Sequence, residues 1–512
     1  MSGINSILNI ASTSIAAQQV ALNVTSENIA NINTPGYSRQ RAVMETAPVN
    51  NSNGFPLGSG VVVKSVQRFY DAALQKNITD GNSLLQNNQS RLTSLQAIEP
   101  SFNDVTTNGL GQSIQDFFDS WQSLSDNASG TPERQAVLAK AQVMVDNFHQ
   151  VNQTLRDQQT SANNSLDGIT ADITLKAKSI ASLNDQIAKT EQVGASSSEL
   201  RDQRDYLVQE LGKDSGCSFT EEQNGSVTVK LASGSVLVQG NQYATVYTSL
   251  SPLAQQDANL VNPNKRIMIT TVGNPPPANN SITDTDITAT VGGSGNTQGK
   301  IGAMLGIRDA VVPGYLRKLD ELAYNTAQQV NVQHQKGWDL NGLTGNNFFV
   351  SPTGITASST TLPAQTSDIA GYSSADPSLG IRLNISSADQ IAAADTNPLT
   401  GGSGNNNNAL ALAAIKDQQV PFATDGGASS TVISYYNAMV SGVGVDVQTA
   451  QNASDQGESY VNQLTNLRES NSGVSLDEEM TNMLKYQKAF QGAAKLISTA
   501  SDMMDTMLAM VR

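Results

Sequence analysis

The sequence is poor in the residues that carry chemistry. Its 512 residues include two histidines, His149 and His334, and one cysteine, Cys217. A lone cysteine forms no internal disulfide. The chain therefore either stays in a reducing compartment or leaves the cell by a route that does not rely on disulfides. No HExxH, CxxC pair or GxxxxGK[ST] loop is present. Gly292-Gly293-Ser294-Gly295 does not open a phosphate-binding helix and reads as a loop. Asp202, Arg204 and Asp205 crowd one predicted helix, where solvation or pairing within a bundle outweighs an acidic site. His334 stands at the end of another, where capping or packing is the sober role. Nothing points to nucleophilic, metal or acid–base catalysis, so neither an enzyme nor a cofactor is expected.

Charge and aromatic rings are scarce too. At 15% charged and 5% aromatic residues, the core must be built from small aliphatics, which suit long helices and simple sheets better than a large pocket. The net charge is −15 and no Lys/Arg cluster appears, so nucleic acid and anionic membrane are poor partners. The acidity keeps subunits soluble and apart before assembly. No segment approaches the ~18 consecutive apolar residues of a membrane span. Met1–Ser6 also lacks the basic and apolar regions of a cleaved signal peptide.

What the chain does have is two patterned ends. Leu476, Met483, Phe490, Ile497, Met504 and Val511 recur every seven residues, with Met480, Ala494 and Leu508 on a second seam. This is a coiled-coil stripe. Ser475 and Glu478 have capping-box spacing, and Asp477, Glu478 and Glu479 put negative charge at the helix start. At the other end Leu8, Ile15, Leu22 and Ile29 are seven apart, with Ile4 and Ala11 on a second seam that turns polar at Gln18 and Thr25. This helix should stop near Asn31, because Thr34-Pro35-Gly36-Tyr37 suits a type II turn. Ordinary terminal helices docked on a core are the bland alternative. Ordering a residue costs about 1–2 kcal/mol. A seam side chain gains ~1.5–3 kcal/mol only when something covers it. Both ends are therefore expected to be largely disordered in the monomer and to fold on assembly.

Between the ends, Gly54–Val63 reads as an extended connector, and 71–98 as a helix stopped by Pro100. Ile114–Trp121 forms a short helix. Thr131 caps a long one with Pro132 at its first position, continuing through Ile187. Asn224-Gly225 and Ser233-Gly234 separate strands at Cys217–Gln223, Ser226–Leu231 and Ser235–Gln239. Tyr243–Tyr247, Arg266–Val272 and Ile287–Val291 look like further strands, and Pro275-Pro276-Pro277 marks a loop. Helical pattern returns over Ile301–Val332 and from Ala409 onward. The expected class is multidomain α+β: paired terminal coiled-coil helices, an elongated helical bundle and inserted β domains. The divisions are 1–48 with 472–512 for the terminal domain; 49–215, 299–345 and 406–471 for the bundle; 216–298 for a β insertion; and 346–405 for a small β or irregular one.

The segment Asn28-Ile29-Ala30-Asn31-Ile32-Asn33-Thr34-Pro35-Gly36-Tyr37-Ser38-Arg39-Gln40 resembles the N-terminal signature of bacterial flagellar axial proteins. Ser472–Met480, continuing to Tyr486–Phe490, resembles the matching C-terminal signature. Leu200–Leu207 and Leu319–Ala323 through Val330–Gly342 narrow the resemblance to the flagellar hook-associated protein 1 family. That resemblance implies an extracellular structural subunit at the hook–filament junction, exported through the type III channel. It implies a homo-oligomeric ring, with hook protein on one side and a second hook-associated junction protein on the other. It also implies a cytosolic export chaperone on the C-terminal helix. Hook protein or another axial subunit remains an alternative, and a surface adhesin with coiled-coil ends a distant one. The expected assembly residues are the two heptad sets, with Asn28, Asn31, Thr34, Pro35, Gly36 and Tyr37 forming the signature turn.

Overall fold

The computed structural model describes residues 2–48, 50–52, 55–102, 109–193, 197–250, 264–273, 284–292, 298–350 and 376–510. The expected features at Val511, Gly54, Pro275–Pro277 and Gly293–Gly295, and much of the 346–405 insertion, lie outside these.

Helix α1 (Ser2–Ala30) opens the chain. An unexpected β-ribbon follows. Strands β1 (Gln40–Thr46) and β4 (Val61–Arg68) pair antiparallel, and the short β2 (Asn50–Ser52) and β3 (Phe55–Leu57) pair between them. The expected boundary at 48/49 therefore cuts through one ribbon. The sequence hid it because residues 40–46 (QRAVMET) carry little apolar alternation.

Helix α2 (Ala72–Ile98) starts at Asp71, whose carboxylate accepts the Leu74 N–H at 3.0 Å. Helix α3 (Leu110–Asp126) buries Ile114, Phe117, Phe118 and Trp121. Helix α4 (Thr131–Gln192) is a single element of 62 residues. Its N-cap is Gly130, one residue before the expected Thr131, so Pro132 falls at the second helical position. Helix α5 is Ser198–Ser215.

Strands β5 (Cys217–Glu221), β6 (Val227–Leu231), β7 (Val236–Gln239) and β8 (Gln242–Tyr243) form one antiparallel sheet. The hairpin turns fall where Asn224-Gly225 and Ser233-Gly234 placed them. The Tyr243–Tyr247 strand is in fact two. The chain leaves the sheet at Ala244 and enters a second one as β9 (Val246–Leu250), beside β10 (Lys265–Ile269) and β11 (Thr285–Asp286). The strand expected at Ile287–Val291 is a helical turn, Thr288–Gly292. The Asp286 carboxylate accepts both the N–H and the hydroxyl of Thr288 (2.9 and 2.6 Å), which ends the strand. Ile287 and Val291, four apart, then point into the same core.

The helix expected over Ile301–Val332 is interrupted. Helix α6 (Gly299–Gly306) passes through a π turn at Ile307–Val311 into α7 (Val312–His334). The turn lies at a core boundary: Leu305 packs with the β sheets, Ile307 with the helical bundle. There the buried Arg308 donates to Asn163 Oδ1 (3.1 Å) and to the Lys265 carbonyl (2.6 Å). His334 packs between Trp121 and Phe348. It accepts the Ala392 N–H at Nε2 (3.0 Å), so its proton lies on Nδ1 and goes to the Asn346 carbonyl (2.8 Å).

The described part of 346–405 is irregular, with short turns and isolated bridges such as Phe349 to Leu383. Phe348, Phe349, Ile381, Ile385 and Ile391 sit in the same core as α3, α4 and α7. Helix α8 (Val432–Ser472) runs back antiparallel to α2, with Gly457 against Leu85 and Gly81 against Val461. Helix α9 (Leu476–Met510) closes the chain beside α1. Among the described residues two large cores result, one among the helices and one under the sheets, and α4 passes through both; a small third cluster, Leu74, Ile78 and Leu464, joins α2 to α8.

Candidate assembly interface

Helices α1 and α9 pack antiparallel. Asn28 meets Glu479 at one end, and Ile4 shares a shallow pocket with Thr499, Met503 and Met507 at the other. The β-ribbon lies along α1 as a third element. Gly60 has φ 99° and its backbone rests on α1; a Cβ there would stand 2.5 Å from Thr13 Oγ1 and 3.2 Å from Ile10 Cα. The expected two-helix coiled coil is thus a three-part stalk.

The seam buried within one chain coincides with the expected ones only in part. On α1 it runs through Ala11 and Thr25 of the expected second seam and through Ala17, Ala21, Val24 and Asn28, and on α9 through Glu479, Ala493 and Ala500. Small side chains let the backbones approach closely. The expected residues Leu8, Ile15, Leu22 and Ile29, and Met483, Phe490, Ile497 and Met504, are all half-buried and flank this seam. Leu476 is exposed and belongs to the open face. Met480, Leu484, Leu496, Met503, Leu508 and Met510 of α9 are exposed as well, as is Ile7 of α1. One chain therefore covers a narrow strip and leaves a broad apolar surface open, the mark of an interaction face.

At the base of the stalk the signature turn builds a polar node. The Thr34 carbonyl accepts the Tyr37 N–H at 3.2 Å, and Gly36 holds φ 83°, as a type II turn requires. A Cβ on Gly36 would crowd the Tyr206 Cβ of α5 at 3.1 Å. Thr34 Oγ1 donates to Asn31 Oδ1 (3.1 Å), tying the turn to the helix end. Pro35 lines the groove against α5. Asn28, 1% exposed, uses its whole amide. It donates to the Gln40 carbonyl and to Glu479 Oε2 (both 2.9 Å), and accepts from the Gln40 N–H and the Tyr37 hydroxyl (both 2.9 Å). Burial of Tyr37, with the nearby Glu27 and Asp202 carboxylates, pushes its pKa well above the usual phenol range, so the hydroxyl stays a donor.

Arg39 extends the node. It reaches Glu479 (2.8 Å from Nε) and Glu478 (2.6 Å), so Glu478 serves Arg39 and not the expected capping box. The acidic α5 segment is paired, and it grips the stalk. Asp202 accepts the Ser38 N–H (2.9 Å) and Arg68 (2.8 Å), and Asp205 also pairs with Arg68 (2.8 Å). Burial works against the Arg68 charge, but Asp205 and Asp202 outweigh it and hold its pKa above the ordinary arginine value. Arg68 also lies over the Tyr70 ring, 4.0 Å from its centre. Sequence reasoning missed Arg39, Gln40, Arg68, Asp202 and Glu479 as a unit. Arg39 and Gln40 follow the turn directly, and their adjacency was the available signal.

Among the described residues no group of three or more His, Cys, Asp or Glu could hold a metal ion, and no helix is long and apolar enough to cross a membrane.

Comparison with known proteins follows the same division of the chain. Residues 95–349 match the family model for the flagellar hook-associated protein FlgK helical domain. Residues 8–37 match that of the flagella basal body rod protein, and 468–510 that of the flagellar basal body rod FlgEFG protein C-terminal. Flagellar hook-associated protein 1 of Salmonella typhimurium is 29% identical over 98% of this chain and 99% of its own. Its namesake in Bacillus subtilis is 28% identical over 98% and 97%. The structure of the flagellar hook junction protein FlgK from Burkholderia pseudomallei shares the fold. Its TM-score is 0.62 at 17% identity, covering 78% of this chain and all of that one. The alignments run through the stalk, the node and the long helices alike, and by them this chain belongs to the flagellar hook-associated protein 1 family.

Proposed function

We propose that this chain is a structural subunit of the hook–filament junction, and not an enzyme. The observation that carries the reading is the stalk, whose α9 leaves Met480, Leu484, Leu496, Met503 and Leu508 open to solvent. Neighbouring copies would cover that face in a ring, with the half-buried heptad residues at its margins. The exposed apolar residues of the stalk gain burial energy only when the ring closes, so completing the fold of the ends and assembly would be one step. A segment that orders last suits passage through the flagellar type III channel. An export chaperone holding α9 in the cytosol would shield its apolar face until then.

In this reading the ring rests on hook protein and receives a second hook-associated protein above it, outside the cell. The long helices favour this place over that of the hook protein itself, since the middle of the chain matches the hook-associated helical domain. Electron microscopy of cells lacking the chain tests it. Hooks without filaments, and flagellin shed into the medium, are expected; normal filaments would end the proposal.

A further inference from the structure

The stalk joins the rest of the molecule through two covalent crossings. One is Phe69-Tyr70-Asp71, between β4 and α2, and the other Gly473-Val474-Ser475, between α8 and α9. They lie side by side. Arg39 N–H donates to the Ser472 carbonyl (2.9 Å), and the Arg39 carbonyl accepts the Phe69 N–H (2.8 Å). A rigid body held at two neighbouring points can swing about the line through them. A third attachment, from an element that belongs to neither crossing, restrains that swing. Arg468, which reaches the Tyr37 carbonyl at 3.1 Å, belongs to α8, which itself runs into the second crossing, so it is not such an element.

Helix α5 supplies the third point. Its chain neighbours are α4 and β5, so no covalent path leads from it directly to the stalk. Yet Asp202 holds the Ser38 N–H on one side and Arg68 on the other, and Asp205 holds Arg68 again. Arg68 and Asp202 expose only 8% and 6% of their side chains, so both charges are almost fully desolvated. Such a pair contributes little net stability compared with apolar side chains of similar size. What it adds is direction: charged hydrogen bonds to two carboxylates fix both the distance and the angle of the guanidinium.

We propose that Asp202 and Arg68 are positioning residues that set the tilt of the stalk against the bundle, and so the fit of each subunit in its ring. This rests on the junction reading above. The test complements a strain lacking the chain with the wild type, with Asp202→Asn, and with the apolar pair Arg68→Met/Asp202→Leu. Three quantities are read: the melting midpoint of the purified full chain, the amount exported, and the filaments that survive a calibrated shear. Both variants should melt and be exported like the wild type yet lose most filaments at a shear the wild type withstands. A merely stabilising contact would be restored by the apolar pair. Filaments held as firmly as in the wild type by that pair, or loss that only tracks an earlier melt, overturns the proposal. Filaments retained by the strain with no chain at all would instead overturn the junction reading, and the clamp's role with it.

Discussion

Asn28 and Glu479 are 451 positions apart in sequence and 2.9 Å apart in space. Their contact joins the last turn of the first helix to the first turn of the last one. Asn28→Ala would leave Glu479, the Gln40 backbone and the Tyr37 hydroxyl short of partners in a buried place. The expected cost is about 1–3 kcal/mol for each group left unpaired. On the proposed reading, in which the stalk orders on assembly, the loss should appear as a raised critical concentration for assembly onto isolated hooks. The melting midpoint of the free subunit should hold. An unchanged critical concentration would contradict the role given to Asn28.

The half-buried heptad residues make a sharper case. A carboxylate at Phe490 or Leu22 would be solvated in the free chain and trapped at the seam margin in the ring. Phe490→Asp and Leu22→Asp should each block junction assembly while near-ultraviolet dichroism of the bundle stays native. Motile cells with filaments of normal length would refute this.

Order on assembly can be observed directly. In the isolated subunit the amides of α1 and α9 should exchange with solvent within seconds, while those of α3, α4 and α7 are slow. In the assembled junction both ends should become protected. Slow exchange at both ends of the monomer would sink the idea.

His334 gives the bundle a pH dependence of known sign. Burial holds its pKa below the ordinary 6.5, with the nearby Arg134 charge adding to the effect and the Asn346 carbonyl and Asp339 opposing it. The unfolded chain therefore takes up a proton near pH 6.5 that the folded chain refuses. The contribution is whole above that value and is lost as pH falls from it toward the depressed folded pKa. Thermal melts should be level above neutrality and fall on acidification below about pH 6.5. His334→Gln should melt lower at all pH, by about 1–3 kcal/mol of lost contacts, but with a flatter slope in that window. Parallel slopes would assign the acid sensitivity elsewhere.

Much of this architecture was legible because it is local. Asp71 and Pro132 marked helix starts, Asn224-Gly225 and Ser233-Gly234 marked hairpins, and the Thr34–Tyr37 turn formed as its proline and glycine required. What stayed hidden depends on contacts across the chain. The ribbon β1–β4 is stabilised by lying on α1, so its own pattern is weak. The heptad stripes were legible, but the side chains buried within one chain lie on the expected seams only in part, at Ala11 and Thr25. Periodicity identifies a stripe of large side chains, while close packing of α1 on α9 favoured the alanines beside it. The node was least legible of all, since Asn28, Arg39, Arg68, Asp202 and Glu479 are polar residues whose meaning lies in their partners.

Helix α4 has a mechanical consequence. At 62 residues it is roughly 93 Å long at 1.5 Å per residue, and its side chains anchor first one core and then the other. The outer sheets therefore ride on a spar and not on a tether. Drag on the outer part of a rotating subunit would be carried inward as bending of a helix already embedded in the bundle. Where the two cores meet, the π turn adds a second tie: Arg308 donates to Asn163 of α4, and Met304 packs against both cores. Bending load at that boundary is therefore shared between α4 and the α6–α7 pair.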